Sequence, residues 1–115
     1  MSGIEKRKDA RIPVMLGARV RKGPRWFLGT VLNLSVSGMF VKVPTLFDDG
    51  DELEIAFRLP LRDSQVEVLA RVVWKTRIGA VERPVFGIGV LFLEMPILQK
   101  EALNFFVYRS IKSCA

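Results

Sequence analysis

The sequence predicts a mainly β fold: six short antiparallel strands forming a barrel or a sandwich, with a C-terminal α-helix. Three observations predict it. From Val14 onward most of the chain alternates apolar and polar residues at period two, the alternating runs are separated by turn-forming residues, and helical spacing appears only near the end. Several short strands joined by tight connections favour a barrel or sandwich over an α/β layer. The chain has 115 residues, 50% of them hydrophobic, which fits one domain with a packed core.

The first strands, expected at 14–22, 25–33 and 38–43, are the least regular. Lys22-Gly23-Pro24 supplies the turn between the first two. Leu53, Ile55, Phe57 and Leu59 then alternate with Glu52, Glu54, Ala56 and Arg58, after the Asp48-Asp49-Gly50-Asp51 turn. Val66, Val68, Ala70, Val72 and Trp74 form the inward face of the next strand, which follows Leu61-Arg62-Asp63-Ser64. By that alternation Trp74 is expected in the core. The last strand alternates Phe86, Ile88, Val90 and Phe92 with Gly87, Gly89, Leu91 and Leu93. Pro96 is placed to begin a helix, with Leu98, Ala102, Leu103, Phe105 and Phe106 on its core face. Ile97, Tyr108 and Ile111 fall toward the other face and are the candidate surface for a partner protein or a second copy. The expected layout is a single domain over 1–115: a flexible basic arm at 1–12, a body of strands at 13–93 and a helix at 96–112.

Charge is distributed unevenly. Residues 1–25 carry eight basic side chains against Glu5 and Asp9, and residues 26–115 carry ten of each sign, so the whole net charge of +6 lies in the first fifth of the chain. A neutral body with a basic N-terminal stretch suggests an anion held at one place.

Several functions are disfavoured. Histidine is absent, which removes the commonest general base and zinc ligand. The only cysteine, Cys114, allows no internal disulfide, and a reducing, cytoplasmic location is expected. The longest uncharged stretch, Trp26–Val41, is 16 residues and too polar to span a membrane. No apolar run follows the basic N-terminus, so no signal peptide and no membrane insertion are expected. Ser35 and Ser37 have no base to activate them, Gly87-Ile88-Gly89 lacks the third glycine of a dinucleotide fingerprint, and the Asp48–Glu54 acids read as a turn. No enzyme, metal site or cofactor is expected.

Two segments carry the functional signal. Arg7-Lys8-Asp9-Ala10-Arg11 has R-x-x-x-R spacing, and Asn33-Leu34-Ser35-Val36-Ser37-Gly38 has N-x-S-x-x-G spacing at a strand end. Taken singly, a basic run reads as a solvated tail and an Asn-Ser-Gly cluster as a turn. In this order, with 21 residues between Arg11 and Asn33, they resemble the PilZ domain family, bacterial receptors for cyclic di-GMP. The resemblance extends over nearly the whole chain and implies that the strands at 13–93 form a six-stranded antiparallel β-barrel followed by the C-terminal α-helix, and that Arg7, Arg11, Asn33, Ser35 and Gly38 bind that ligand. Lys6, Lys8 and Trp74 are further candidate contacts, Trp74 by lying against a guanine. The family carries Asp or Asn where this chain has Asn33; the neutral residue implies a somewhat weaker grip. Lys6, just before the first motif, is compatible with an intercalated pair of ligands.

The residue chemistry suits the same ligand. An arginine fork binds phosphate bidentately, pairs with guanine O6 and N7, or stacks on a purine. Asn33 and Ser35, two apart on a strand, are expected to share a face and read a guanine edge, with Gly38 allowing a sharp turn or close approach to the base. The expected action is a binding event without catalysis: the segment around residues 5–11 closes over ligand seated on the barrel and alters a surface offered to an effector protein, with a homo-oligomer also open. Two alternatives stand beside it: a small basic barrel binding RNA or single-stranded nucleic acid, disfavoured by the confined charge, and a PilZ-like scaffold that binds only proteins.

Overall fold

Period-two patterning resolves into six antiparallel strands in the computed structural model, which describes residues 10–60 and 64–113. They are β1 (Ile12–Lys22), β2 (Arg25–Leu34), β3 (Gly38–Val43), β4 (Glu52–Arg58), β5 (Gln65–Ile78) and β6 (Val85–Glu94), followed by helix α1 (Ile97–Ser113). The strands close into a barrel in the order β1-β2-β3-β6-β5-β4, with β4 returning to pair with β1. Closure gives every strand two neighbours, although the start of β1 pairs with β2 alone and the end of β5 with β6 alone.

Side chains fill the interior. Val20, Val31, Met39, Val41, Leu53, Ile55, Val66, Val68, Ala70, Val72, Ile88 and Val90 point inward and are buried, one inward residue in two along each strand. The β4 pattern holds as expected, with Leu53, Ile55 and Phe57 buried between exposed Glu52, Glu54 and Arg58. Phe27 and Phe47 meet edge to face, with ring centroids 5.5 Å apart.

The acidic segment between β3 and β4 is a turn. Gly50, at φ 93°, has a backbone conformation that favours glycine, and its N–H donates to the Val72 carbonyl at 2.7 Å. The Asp51 carboxylate accepts from the Lys22 ammonium at 2.8 Å and from the Asp48 N–H at 2.9 Å. The Lys22 hydrogen bond first, and the Asp48 N–H second, hold the Asp51 carboxyl below the usual carboxylate range. Lys75 lies 3.7 Å from Asp49 and 4.0 Å from Asp48. The acids are thus partnered by lysines, and no group of three metal-ligating side chains occurs among the described residues.

α1 differs from expectation in the face it buries. Pro96 precedes the helix, and its carbonyl accepts the first helical bond from Lys100 N–H at 2.9 Å, the position of a cap. Leu103 and Val107 are buried, and Ala102, Phe106 and Ile111 pack against the core. Ile111, expected on the outer face, therefore belongs to the inner one, whereas Leu98 and Phe105, expected inside, are exposed. Apolar residues occupy both sides of this helix, so spacing alone does not orient it. One polar residue ties the start of the helix to β5: Gln99 accepts the Glu67 N–H at 2.6 Å, while the Ser110 hydroxyl donates within the helix to the Phe106 carbonyl at 2.9 Å. No described helix is long and apolar enough to cross a membrane.

Candidate functional site

The N-x-S-x-x-G segment forms the β2–β3 connection. β2 ends at Leu34, so strand alternation stops before Ser35. Ser35 is fully buried and its hydroxyl is used inside the turn: it donates to the Gly38 carbonyl at 3.1 Å and accepts from the N–H groups of Gly38 at 3.1 Å and Ser37 at 3.3 Å. The Ser35 N–H also donates to the Gly38 carbonyl, at 2.9 Å. The expectation that Ser35 shares an outward face with Asn33 is therefore corrected. A short hydroxyl side chain closes this turn by satisfying its backbone groups, and Ser35 shapes the loop that follows Asn33.

Gly38 has a related role. It does not adopt a positive φ. A Cβ at this position would instead run into the Val90 carbonyl oxygen of β6. Gly38 pairs with Leu91, and the Phe92 N–H donates to the Ser37 carbonyl at 2.8 Å. The close approach that only glycine permits is to a neighbouring strand, which holds the turn tightly on the barrel.

Arg11 and Asn33, from the two motifs, meet directly. Pairing of β1 with β2 sets Ile12 opposite Leu34 and Pro13 opposite Asn33, which brings Arg11 beside the end of β2. Its Nη1 donates to Asn33 Oδ1 at 3.1 Å, and the guanidinium is exposed. Arg7, Lys6 and Lys8 lie outside the described residues.

Register extends this contact around the barrel. Asn33 is opposite Phe40, Phe40 opposite Gly89, and Gly89 opposite Trp74. Directly opposed residues of antiparallel strands point to one side, so Asn33, Phe40 and Trp74 stand in one row across β2, β3, β6 and β5. Phe40 and Trp74 are stacked, their centroids 5.1 Å apart and their planes 16° apart. The stack spans β6 because that strand has glycines beneath it: a Cβ at Gly87 would strike the Phe40 ring, and one at Gly89 the Trp74 indole.

Trp74 departs from its expected core position. The β5–β6 register shifts between Val72 and Trp74, a bulge that inserts one residue and reverses which later side chains face out. Val72 is buried, whereas Trp74 is 45% exposed on the outer surface. Sequence reasoning missed Phe40 as part of this surface, although its alternation with buried Met39 and Val41 marks it as outward. It also missed Lys42, exposed two residues from Phe40 on the same face of β3. The row therefore has arginine and amide groups at one end, two stacked rings at the other, and no carboxylate.

Other recesses lie apart from the motifs. One of about 610 Å³ lies across β1, β4 and β5 and includes Arg19, Trp26, Glu54, Glu67 and Glu94 in its lining. Trp26 is an exposed strand aromatic, with the Arg19 and Arg21 guanidiniums 5.7 Å and 5.6 Å from its ring centroid.

The PilZ domain model matches residues 5–109. The chain belongs to the PilZ domain family. Among solved structures it is similar to the inhibitor of motility MotI/DgrA of Bacillus subtilis, at 19% identity and a TM-score of 0.76, over 94% of this chain and 52% of that one. It is also similar to the PilZ domain with c-di-GMP of YcgR from Escherichia coli, at 11% identity and a TM-score of 0.71, over 95% of this chain and 94% of that one. MrkH of K. pneumonia in its apo state aligns at 14% identity and a TM-score of 0.75, over 92% of this chain and 50% of that one. The chain thus spans about half the length of the MotI and MrkH chains and nearly all of the YcgR domain. No curated protein sequence matches it.

Proposed function

We propose that the chain is a bacterial, cytoplasmic receptor for cyclic di-GMP, acting by binding rather than catalysis. The observation that carries this reading is the contact of Arg11 with Asn33 beside the Phe40–Trp74 stack. It sets an arginine fork, an amide and an aromatic surface side by side. A ligand with two phosphates and two guanines uses all three, through bidentate ion pairing, edge hydrogen bonds and stacking. Family membership supports the same ligand, and the YcgR domain similar in fold is one with c-di-GMP.

In this reading Arg7 and Arg11 grip phosphate and guanine, Asn33 reads a guanine edge, and Trp74 presents a face to a base. Lys6, Lys8 and Lys42 supply further positive charge. Ser35 and Gly38 act by holding Asn33 in place. The N-terminal segment around residues 5–11 orders over the seated ligand, and the new surface is read by an effector protein.

Titration calorimetry with cyclic di-GMP, GMP and a short RNA tests this. Selective binding of the cyclic dinucleotide is expected, lost in Arg7→Ala and Arg11→Ala and retained in Lys22→Ala, whose lysine pairs with Asp51 in the acidic turn. Equal binding of RNA and the dinucleotide, falling steeply with salt, would refute it.

A further inference from the structure

The outer face of α1 has a symmetric arrangement that a second copy of the chain can use. Leu98, Glu101, Phe105, Arg109 and Lys112 are exposed. They lie at offsets of −7, −4, 0, +4 and +7 from Phe105, which places them along one line of the helix. Ile97 and Tyr108 flank that line and are exposed at 70% and 60%, although both are large and apolar. The opposite side, with Leu103 and Val107, is already spent on the barrel core.

We propose that the protein forms a two-fold dimer in which α1 packs antiparallel against α1 of a second copy, centred on Phe105. In such a pair, residues equidistant from the centre face each other. Phe105 meets its own equivalent, Glu101 of each copy meets Arg109 of the other, and Leu98 lies along the aliphatic stem of Lys112. Charge sets the direction: parallel packing would place Glu101 against Glu101 and Arg109 against Arg109. Charge also favours a second copy over an unrelated protein, because the acid and base are mirrored about one ring and complete each other's pairing without any outside group. Within one copy the Arg109 guanidinium lies 5.7 Å from the Phe105 ring centroid, so it is already close to the contact.

A helix of this length is about 25 Å long, and one helix pair lies at the small end of stable interfaces. A weak, concentration-dependent dimer is expected. The proposal is independent of the cyclic di-GMP reading, since neither motif is involved.

Sedimentation velocity of the full chain over a concentration series tests it, with circular dichroism confirming that each variant is folded. The wild type is expected to dimerise as concentration rises. Glu101→Arg and Arg109→Glu should each weaken association by about tenfold, because two-fold symmetry makes each change count twice. The double exchange Glu101→Arg with Arg109→Glu should restore it. Phe105→Glu, which brings two carboxylates together on the axis, should leave a folded monomer. A wild type monomeric at several hundred micromolar would overturn the proposal, as would single variants that dimerise unchanged or a double exchange that fails to recover.

Discussion

Replacing Gly89 with alanine tests whether the outer aromatic surface depends on β6 lacking side chains beneath it. A Cβ at Gly89 would occupy the space of Nε1, Cδ1 and Cε2 of Trp74. The indole has to swing away, which breaks its 5.1 Å stack on Phe40. The lost pairing costs about 0.5–1.5 kcal/mol, and a displaced rotamer costs about as much again. Reduced freedom of the unfolded chain returns roughly 0.4–1 kcal/mol, leaving a net loss of about 1–2 kcal/mol. For a domain of this size that lowers Tm by about 4–10 °C. Gly17→Ala is the control, since nothing lies within 4 Å of a Cβ there, and its Tm should hold or rise slightly. Thermal unfolding gives the stability. Emission in a Trp26→Phe background, which leaves Trp74 as the only tryptophan, reports the stack. Cyclic di-GMP affinity should fall along with the lost stack. A Gly89→Ala protein with unchanged Tm and unchanged Trp74 emission would refute the idea that the glycine makes room for the ring.

Three further outcomes are expected. Arg11→Ala removes an exposed hydrogen bond, so chemical denaturation should detect a stability change under about 0.5 kcal/mol, while calorimetry should show ligand affinity lower by tenfold or more. Gly38→Ala forces β3 away from the Val90 carbonyl, backbone against side chain with no flexible group to yield; urea unfolding should show a loss of about 3 kcal/mol. Asp51, whose carboxyl is held below the usual carboxylate range chiefly by its hydrogen bond from Lys22, contributes stability that is present above the unfolded value and lost as pH falls through the folded one. Tm of the wild type should therefore drop more steeply than Tm of Asp51→Asn as pH falls through and below the ordinary carboxylate range.

The barrel was legible because closure buries one face of every strand, and a half-buried strand leaves its period in the sequence. Leu53, Ile55 and Phe57 show this directly, and so do Val66, Val68, Ala70 and Val72. The orientation of α1 was not legible. Leu98 and Phe105 compete with Leu103 and Val107 for the same inference, and hydrophobicity does not distinguish a residue that seals the barrel from one facing outward. What separates them is tertiary: Leu103 and Val107 are the ones that meet the barrel core, and Gln99, at the same helical spacing, accepts the Glu67 N–H of β5.

The candidate site divides along the same line. Motif spacing identified Arg11 and Asn33, and a single hydrogen bond joins them across 22 positions of sequence. Ser35 and Gly38 were legible as positions but not as roles, because whether a hydroxyl faces solvent or closes a turn depends on where β2 stops. Trp74 depended on one inserted residue. Without the bulge after Val72, alternation would carry the indole into a barrel already filled by Ile88 and Val90. With it, the ring lies outside, over a strand position that only glycine leaves open. The two strand glycines and the two aromatic rings are therefore one feature read from opposite sides of a register, since each ring occupies the space of a side chain its neighbour lacks. A G-x-G within a strand that faces aromatics on both adjoining strands marks a stacked surface when the intervening register contains a bulge, and curvature alone would not require Phe40 and Trp74 to be there.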